Sequence, residues 1–185
     1  MKKILVSLAL LVSLLGYAED YDKEYSAEEV GDINCKWVMV SLSYNNLSLA
    51  KDQYYSSCNN PTYVSGEGYS WFTFAVWNGQ LDQVKWAMSL PGVNLNSKLS
   101  GVTPLYKTVV NIYHNNITDT THDRYLILKL LLEKGADPLL HNDSEGHPPY
   151  SNGESTYELI KDVNMEDTPA GKLVIQYSTG VKLGK

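Results

Sequence analysis

The chain has 185 residues, of which 43% are hydrophobic, 11% aromatic and 19% charged. That composition excludes collagen-like, low-complexity and wholly disordered chains, and the length suits one domain or a little more. Lys and Arg number 15 against 21 Asp and Glu, a formal net charge of −6, which argues against a basic groove tracking phosphates and so against nucleic acid as the partner.

The first eighteen residues read as a signal peptide. Lys2 and Lys3 precede an apolar run at residues 4–15, and Gly16 and Ala18 are the small residues a signal peptidase reads. Twelve helical residues at about 1.5 Å each span about 18 Å, short of a bilayer core of about 30 Å. An uncleaved anchor is the alternative. Cleavage is expected after Ala18, with Glu19 where a lipoprotein would need cysteine. The expected location is the periplasm or the exterior, with no membrane contact after cleavage. Residues 19–33 form an acidic N-terminal segment, whose stretch Glu19 to Glu29 is expected to be a soluble or frayed end rather than a calcium site.

Export gives the two cysteines meaning. Cys35 and Cys58 have only each other, and an oxidising compartment favours a disulfide over two free buried thiols, which remain the alternative. Such a bridge closes a loop of about 24 residues and stabilises by about 3 kcal/mol in the chain-entropy view.

The remainder repeats itself. Gly68-Tyr69-Ser70-Trp71-Phe72 and Gly101-Val102-Thr103-Pro104-Leu105 share a frame, their glycines 33 positions apart. Thr103 suits an N-cap and Pro104 a first helical position, where its missing N–H costs nothing. Leu128, Leu131 and Leu132 fall on one helical face, and Gly135 supplies a left-handed stop. In the preceding unit, Asp82, Gln83 and Lys85 face away from Leu81, Val84 and Met88. Thr103-Pro104-Leu105, in register with Leu131-Leu132-Glu133-Lys134-Gly135-Ala136-Asp137, resembles the ankyrin repeat.

The resemblance implies an all-α stack of helix pairs with β-turn fingers, about three to four repeats capped at both ends. The units are a capping repeat at 34–67, repeats at 68–100 and 101–140, and a C-terminal repeat at 141–180. In the capping unit, Trp37, Val38, Leu47, Ala50 and Tyr54 match the next unit at an offset of 34. That match puts Cys35 at the start of one helix and Cys58 just past the end of the next. In the last unit, Gly153 to Ile160 repeat the opening frame, and Thr168-Pro169 starts a final helix. Residues 112–123 read as a polar insertion joining the two helices of its unit, and residues 142–152 lengthen the following finger.

Motifs of catalysis are not found. The chain has no phosphate-binding Gly-rich loop, no His-Glu-x-x-His, no Gly-x-Ser-x-Gly and no Cys-x-x-Cys. His114, Asp119, His122 and Asp123 are the densest potential ligands, but their spacing matches no metal site. The expectation is a protein that is not an enzyme, with no catalytic residue, no metal and no cofactor.

The resemblance implies a binding surface instead. In its frame Phe74, Trp77 and Asn78 of one repeat and Lys107, Val110 and Asn111 of the next point outward, with residues 94–100 as the adjacent rim. Exposed bulky aromatics are what protein interfaces use as anchors, although a short array would alternatively pack them against its capping repeat. The implied role is to bind another protein while monomeric alone, as an adaptor or an immunity-type inhibitor. A structural or stress-protective scaffold, or a secreted factor acting on host proteins, are the alternatives.

Overall fold

Ser26, Ser70, Thr103, Ser155 and Thr168 each precede a helix, and each hydroxyl accepts a hydrogen bond from a backbone N–H of the first turn. Such caps satisfy donors that helix geometry leaves without partners. In the computed structural model, which describes residues 26–143 and 153–180, the helices are α1 (Ala27–Ser43), α2 (Leu47–Gln53), α3 (Trp71–Asn78), α4 (Leu81–Met88), α5 (Pro104–His114), α6 (Asp123–Glu133), α7 (Thr156–Asp162) and α8 (Pro169–Thr179). The fold is all-α, and none of these helices is long and apolar enough to cross a membrane. The signal sequence expected at 1–18, residues 19–25 and most of the expected long finger, 144–152, lie outside the described residues.

Consecutive helices pair, α1 with α2, α3 with α4, α5 with α6 and α7 with α8. The first members pack in series, α1 on α3, α3 on α5 and α5 on α7, while α4 packs on α6 and α6 on α8. A left-handed residue follows every first helix, namely Asn45, Gly79, Asn116 and Asn164. Gly68, Gly101 and Gly153 sit two residues before the N-caps of α3, α5 and α7, with φ of 84°, 79° and 78°. Only glycine adopts that backbone at no steric cost.

The expected β-turn fingers are simpler than the ankyrin pattern. Among the described residues there is no strand, only the isolated antiparallel bridges Val64–Ser70, Leu99–Val102 and His141–Ser155. Each closes the loop that leads into a first helix.

The core changes character along the stack. Between the first two pairs it is aromatic: the Tyr54 ring meets Trp71 and Trp86 edge-on at 5.7 and 5.6 Å, and Trp71 Nε1 donates to the Asn60 carbonyl at 2.8 Å. Further along it is aliphatic, with Leu105, Ile112, Ile127, Leu128, Leu131, Leu132 and Ile160 all fully buried. Each such side chain contributes about 1.5–3 kcal/mol by leaving water.

Cys35 and Cys58 are disulfide-bonded, but not at the places the repeat frame assigns. Helix α1 starts well before residue 34, at Ala27, because Ser26 and Glu29 form a reciprocal capping box. Residues 27–33 are therefore helix rather than a frayed acidic segment, and Cys35 lies in mid-helix. Beyond α2 the backbone widens into a π-helical turn, Tyr54–Cys58, whose last residue is the second cysteine. That turn packs on α1 and brings the two Cα atoms to 4.9 Å.

Two more expectations change. The insertion does not begin at 112: Ile112 is fully buried, and α5 continues to His114. Both α5 and α6 have 11 residues where α3 and α4 have 8, so part of the extra length is helix and the loop is 115–122. Gln83 does not face away from the core. It is buried, its Nε2 donating to the Leu42 carbonyl at 2.9 Å and to Asn45 Oδ1 at 3.1 Å. The Leu42 carbonyl at the C-terminus of α1 accepts the Asn45 N–H, and the next pair adds side-chain donors to it.

Candidate functional site

Helices α3 and α5 lie side by side, and the loop 99–103 runs beside both of them. Between them is a groove of about 230 Å³. From α3 and the residues ahead of it come Tyr69, Thr73, Val76 and Trp77; from α5 come Pro104, Tyr106, Lys107 and Val110. Leu99, Ser100, Val102 and Thr103 complete the wall, so the expected rim at 94–100 meets the groove only at its end. The walls are mostly apolar.

The groove follows the repeat. Tyr69 and Val102, Thr73 and Tyr106, and Trp77 and Val110 each stand 33 positions apart. Equivalent residues of adjacent helix pairs thus face one another across it. Tyr69, Thr73 and Tyr106 are absent from the set of outward positions drawn from the repeat frame, yet the 33-residue offset alone relates them.

Trp77 is exposed, at 44%. Its ring packs edge-on against Tyr69 at 5.9 Å, and Tyr69 in turn meets Phe74 at 5.6 Å. The Lys107 ammonium stands 3.8 Å from the centroid of the Trp77 ring, where the negative face of the indole attracts a cation. Burial, and secondarily the Arg124 guanidinium, hold Lys107 below the ordinary lysine value. Arg124 itself is lowered by burial. Its guanidinium lies at the end of α3, where a Cβ added to Gly79 would stand 2.6 Å from Cζ.

Of the six expected surface residues, Trp77 and Lys107 take part as exposed or half-exposed rim. Phe74 is half-buried against Tyr69, and Asn111 is half-buried with its carbonyl bound by the Asn115 side chain. Val110 does not point outward: it is buried, because a valine side chain is too short to rise out of a groove rimmed by Trp77 and Lys107. Asn78 turns inward, its Nδ2 donating to the Leu42 carbonyl at 3.3 Å and to Gln83 Oε1 at 3.0 Å. The ring and cation contacts of Trp77 are with Tyr69 and Lys107, of the second and third pairs.

Three residues of the densest ligand set hold backbone or side-chain groups in place. His122 Nδ1 accepts from the Arg124 N–H, and Asp119 Oδ1 accepts from the Thr121 N–H and hydroxyl. Asp123 binds a backbone N–H of α4. Among the described residues no group of three His, Cys, Asp or Glu could hold a metal ion.

At the far side of Tyr106, its hydroxyl donates to Glu154 Oε1 at 2.7 Å. Burial, followed by that bond, pushes the Tyr106 hydroxyl well above the ordinary tyrosine value. The groove wall is thereby tied to the last helix pair. No protein-family model matches the chain, and no solved structure matches it.

Proposed function

We propose that this chain is an exported, ankyrin-like repeat protein that binds another protein through the α3–α5 groove. The observation that carries the reading is the half-exposed Trp77 at the mouth of a groove built from equivalent positions of two neighbouring helix pairs. Aromatics so placed serve as interface anchors, and a concave apolar cleft with a few polar groups is the usual form of a binding site. The ankyrin-like assignment is supported by the 33-residue offset, by the glycine two residues before each of three N-caps, and by the serial packing of first helices. The exported location is supported by the pattern of residues 1–18 and by the disulfide.

An adaptor and an inhibitor of the immunity-protein kind both fit this reading. Affinity capture from the periplasmic fraction of the native cells tests it. One stoichiometric partner, retained by the wild-type chain and lost with Trp77→Ala, is expected. Capture of no partner, or of one indifferent to Trp77→Ala, would overturn the assignment of the groove.

A further inference from the structure

The disulfide is reachable from one side only. Cys35 is buried in the middle of α1, whereas Cys58 is half-buried and follows the exposed Ser56 and Ser57. A thiolate arriving from solvent therefore meets the Cys58 sulfur first.

What the bond holds is an uncommon turn. Residues 54–58 are π-helical, the Asn59 N–H closes the turn on the Tyr54 carbonyl at 2.7 Å, and Asn59 leaves it in left-handed backbone, with φ of 42°. Turns of this kind are rare and concentrate at functional sites. Here the last residue, Cys58, is tied to α1, and the first, Tyr54, reaches into the aromatic core between Trp71 and Trp86. That core has an unmet demand of its own. Trp86 Nε1 is buried and has no hydrogen-bond partner among the described residues. Such a donor costs free energy, and water that reached it would satisfy it. The turn covers this donor, and a covalent bond holds the turn down.

We infer that the disulfide is a redox latch on the first helix pair. Its reduction by a dithiol frees the 54–58 turn, draws the Tyr54 ring out of the core and admits water to Trp71 and Trp86, while the helices stay formed. The reductant's thiolate attacks Cys58 Sγ, the bond to Cys35 Sγ breaks, and Cys35 leaves as a thiolate that takes up a proton. The second thiol of the reductant then attacks the mixed disulfide and releases Cys58. Two electrons pass to the protein, and the dithiol ends as its own disulfide. The latch stands apart from the α3–α5 groove and does not depend on the partner-binding reading.

Titrating the oxidised full chain with dithiothreitol, read by tryptophan fluorescence and far-UV circular dichroism, tests the inference. Reduction is expected to shift the emission to longer wavelength and to raise quenching by acrylamide, with the helical signal kept and both changes reversed on reoxidation. Tyr54→Ala, still oxidised, is expected to show the shifted emission before any reductant is added. In single-cysteine variants, Cys58 of Cys35→Ala is expected to react with an aromatic disulfide reagent at least tenfold faster than Cys35 of Cys58→Ala. Emission unchanged by reduction would overturn the latch. So would loss of the helical signal along with the shift, since the bond would then staple the whole fold. Equal or faster reaction at Cys35 would overturn the route through Cys58.

Discussion

The carboxylate of Asp123, in the first turn of α6, accepts a hydrogen bond at 3.1 Å from the backbone N–H of Leu81, the first residue of α4. Gln80, at the N-cap of α4, makes no side-chain cap bond of its own. A helix of one pair is therefore capped from the next, and the same carboxylate complements the positive end of both helices. Asp123→Ala should cost about 1 kcal/mol, as a lost cap does, whereas Asp123→Asn keeps an acceptor and should cost less. Urea unfolding of the three proteins measures the difference. Equal stability of Asp123→Ala and wild type would mean that α4 needs no cap from α6.

The disulfide joins the middle of α1 to the π-helical turn after α2, and so ties the first helix pair together. Replacing both cysteines with alanine should lower stability by about 2–4 kcal/mol. Mass spectrometry without reductant should find Cys35 linked to Cys58 in the exported protein. Recovery of both as free thiols would remove this staple.

Gly171, in the first turn of α8, sits against the backbone of Met165, whose carbonyl oxygen occupies the space a Cβ would need. A backbone atom cannot rotate aside. Gly171→Ala should therefore destabilise by about 1–3 kcal/mol despite the better helix propensity of alanine. Gly31, inside α1, has nothing within 4 Å of an added Cβ. Gly31→Ala should stabilise by about 0.5–1 kcal/mol. Thermal unfolding reads both, and a gain in both would mean that α8 packs more loosely on its loop than described.

Glu154 carries a pH dependence. Burial raises its carboxyl above the ordinary value, Asp162 adds to the rise through a hydrogen bond and its charge, and the hydrogen bond from Tyr106 opposes it. Glu158 is a further negative charge nearby. A raised value in the folded state means stability that is full below the ordinary carboxylate range and is lost as pH rises through the raised one. Glu154→Gln keeps an acceptor for Tyr106 and presents an amide to Asp162. It should be more stable than wild type at neutral pH, with the gap closing as pH falls below the carboxylate range. A gap independent of pH would show that ionisation of Glu154 costs the fold nothing.

Local chemistry was readable where it acts within a few residues. Thr103-Pro104 and Thr168-Pro169 start helices, and Leu128, Leu131 and Leu132 face the core, because caps and helical periodicity need no knowledge of the neighbours. Asn78 and Gln83 were not readable. Both serve the carbonyl of Leu42, and that demand exists only once α1 ends where it does, some 36 and 41 positions earlier. Val110 occupies an outward position of the repeat, but the height of Trp77 and Lys107 around it decides its burial. Ser26 and Glu29 carry the spacing of a capping box, but the acidic composition around them points equally to a frayed end, and only the reciprocal bonds decide for a helix.

On the proposed function, Trp77 is a binding residue first and a folding residue second. Its contacts with Tyr69 and Lys107 are worth about 0.5–1.5 and 0.5–1 kcal/mol, so Trp77→Ala should cost about 1–2.5 kcal/mol of stability. Leu131→Ala, which opens a cavity in the aliphatic core, should cost about 2–5 kcal/mol. The decisive measurement is the affinity of folded Trp77→Ala for the captured partner, read beside its unfolding free energy. A binding loss of at least about 2 kcal/mol, larger than the folding loss, is expected. A folded Trp77→Ala protein that binds with wild-type affinity, or one that unfolds as badly as Leu131→Ala, would contradict it.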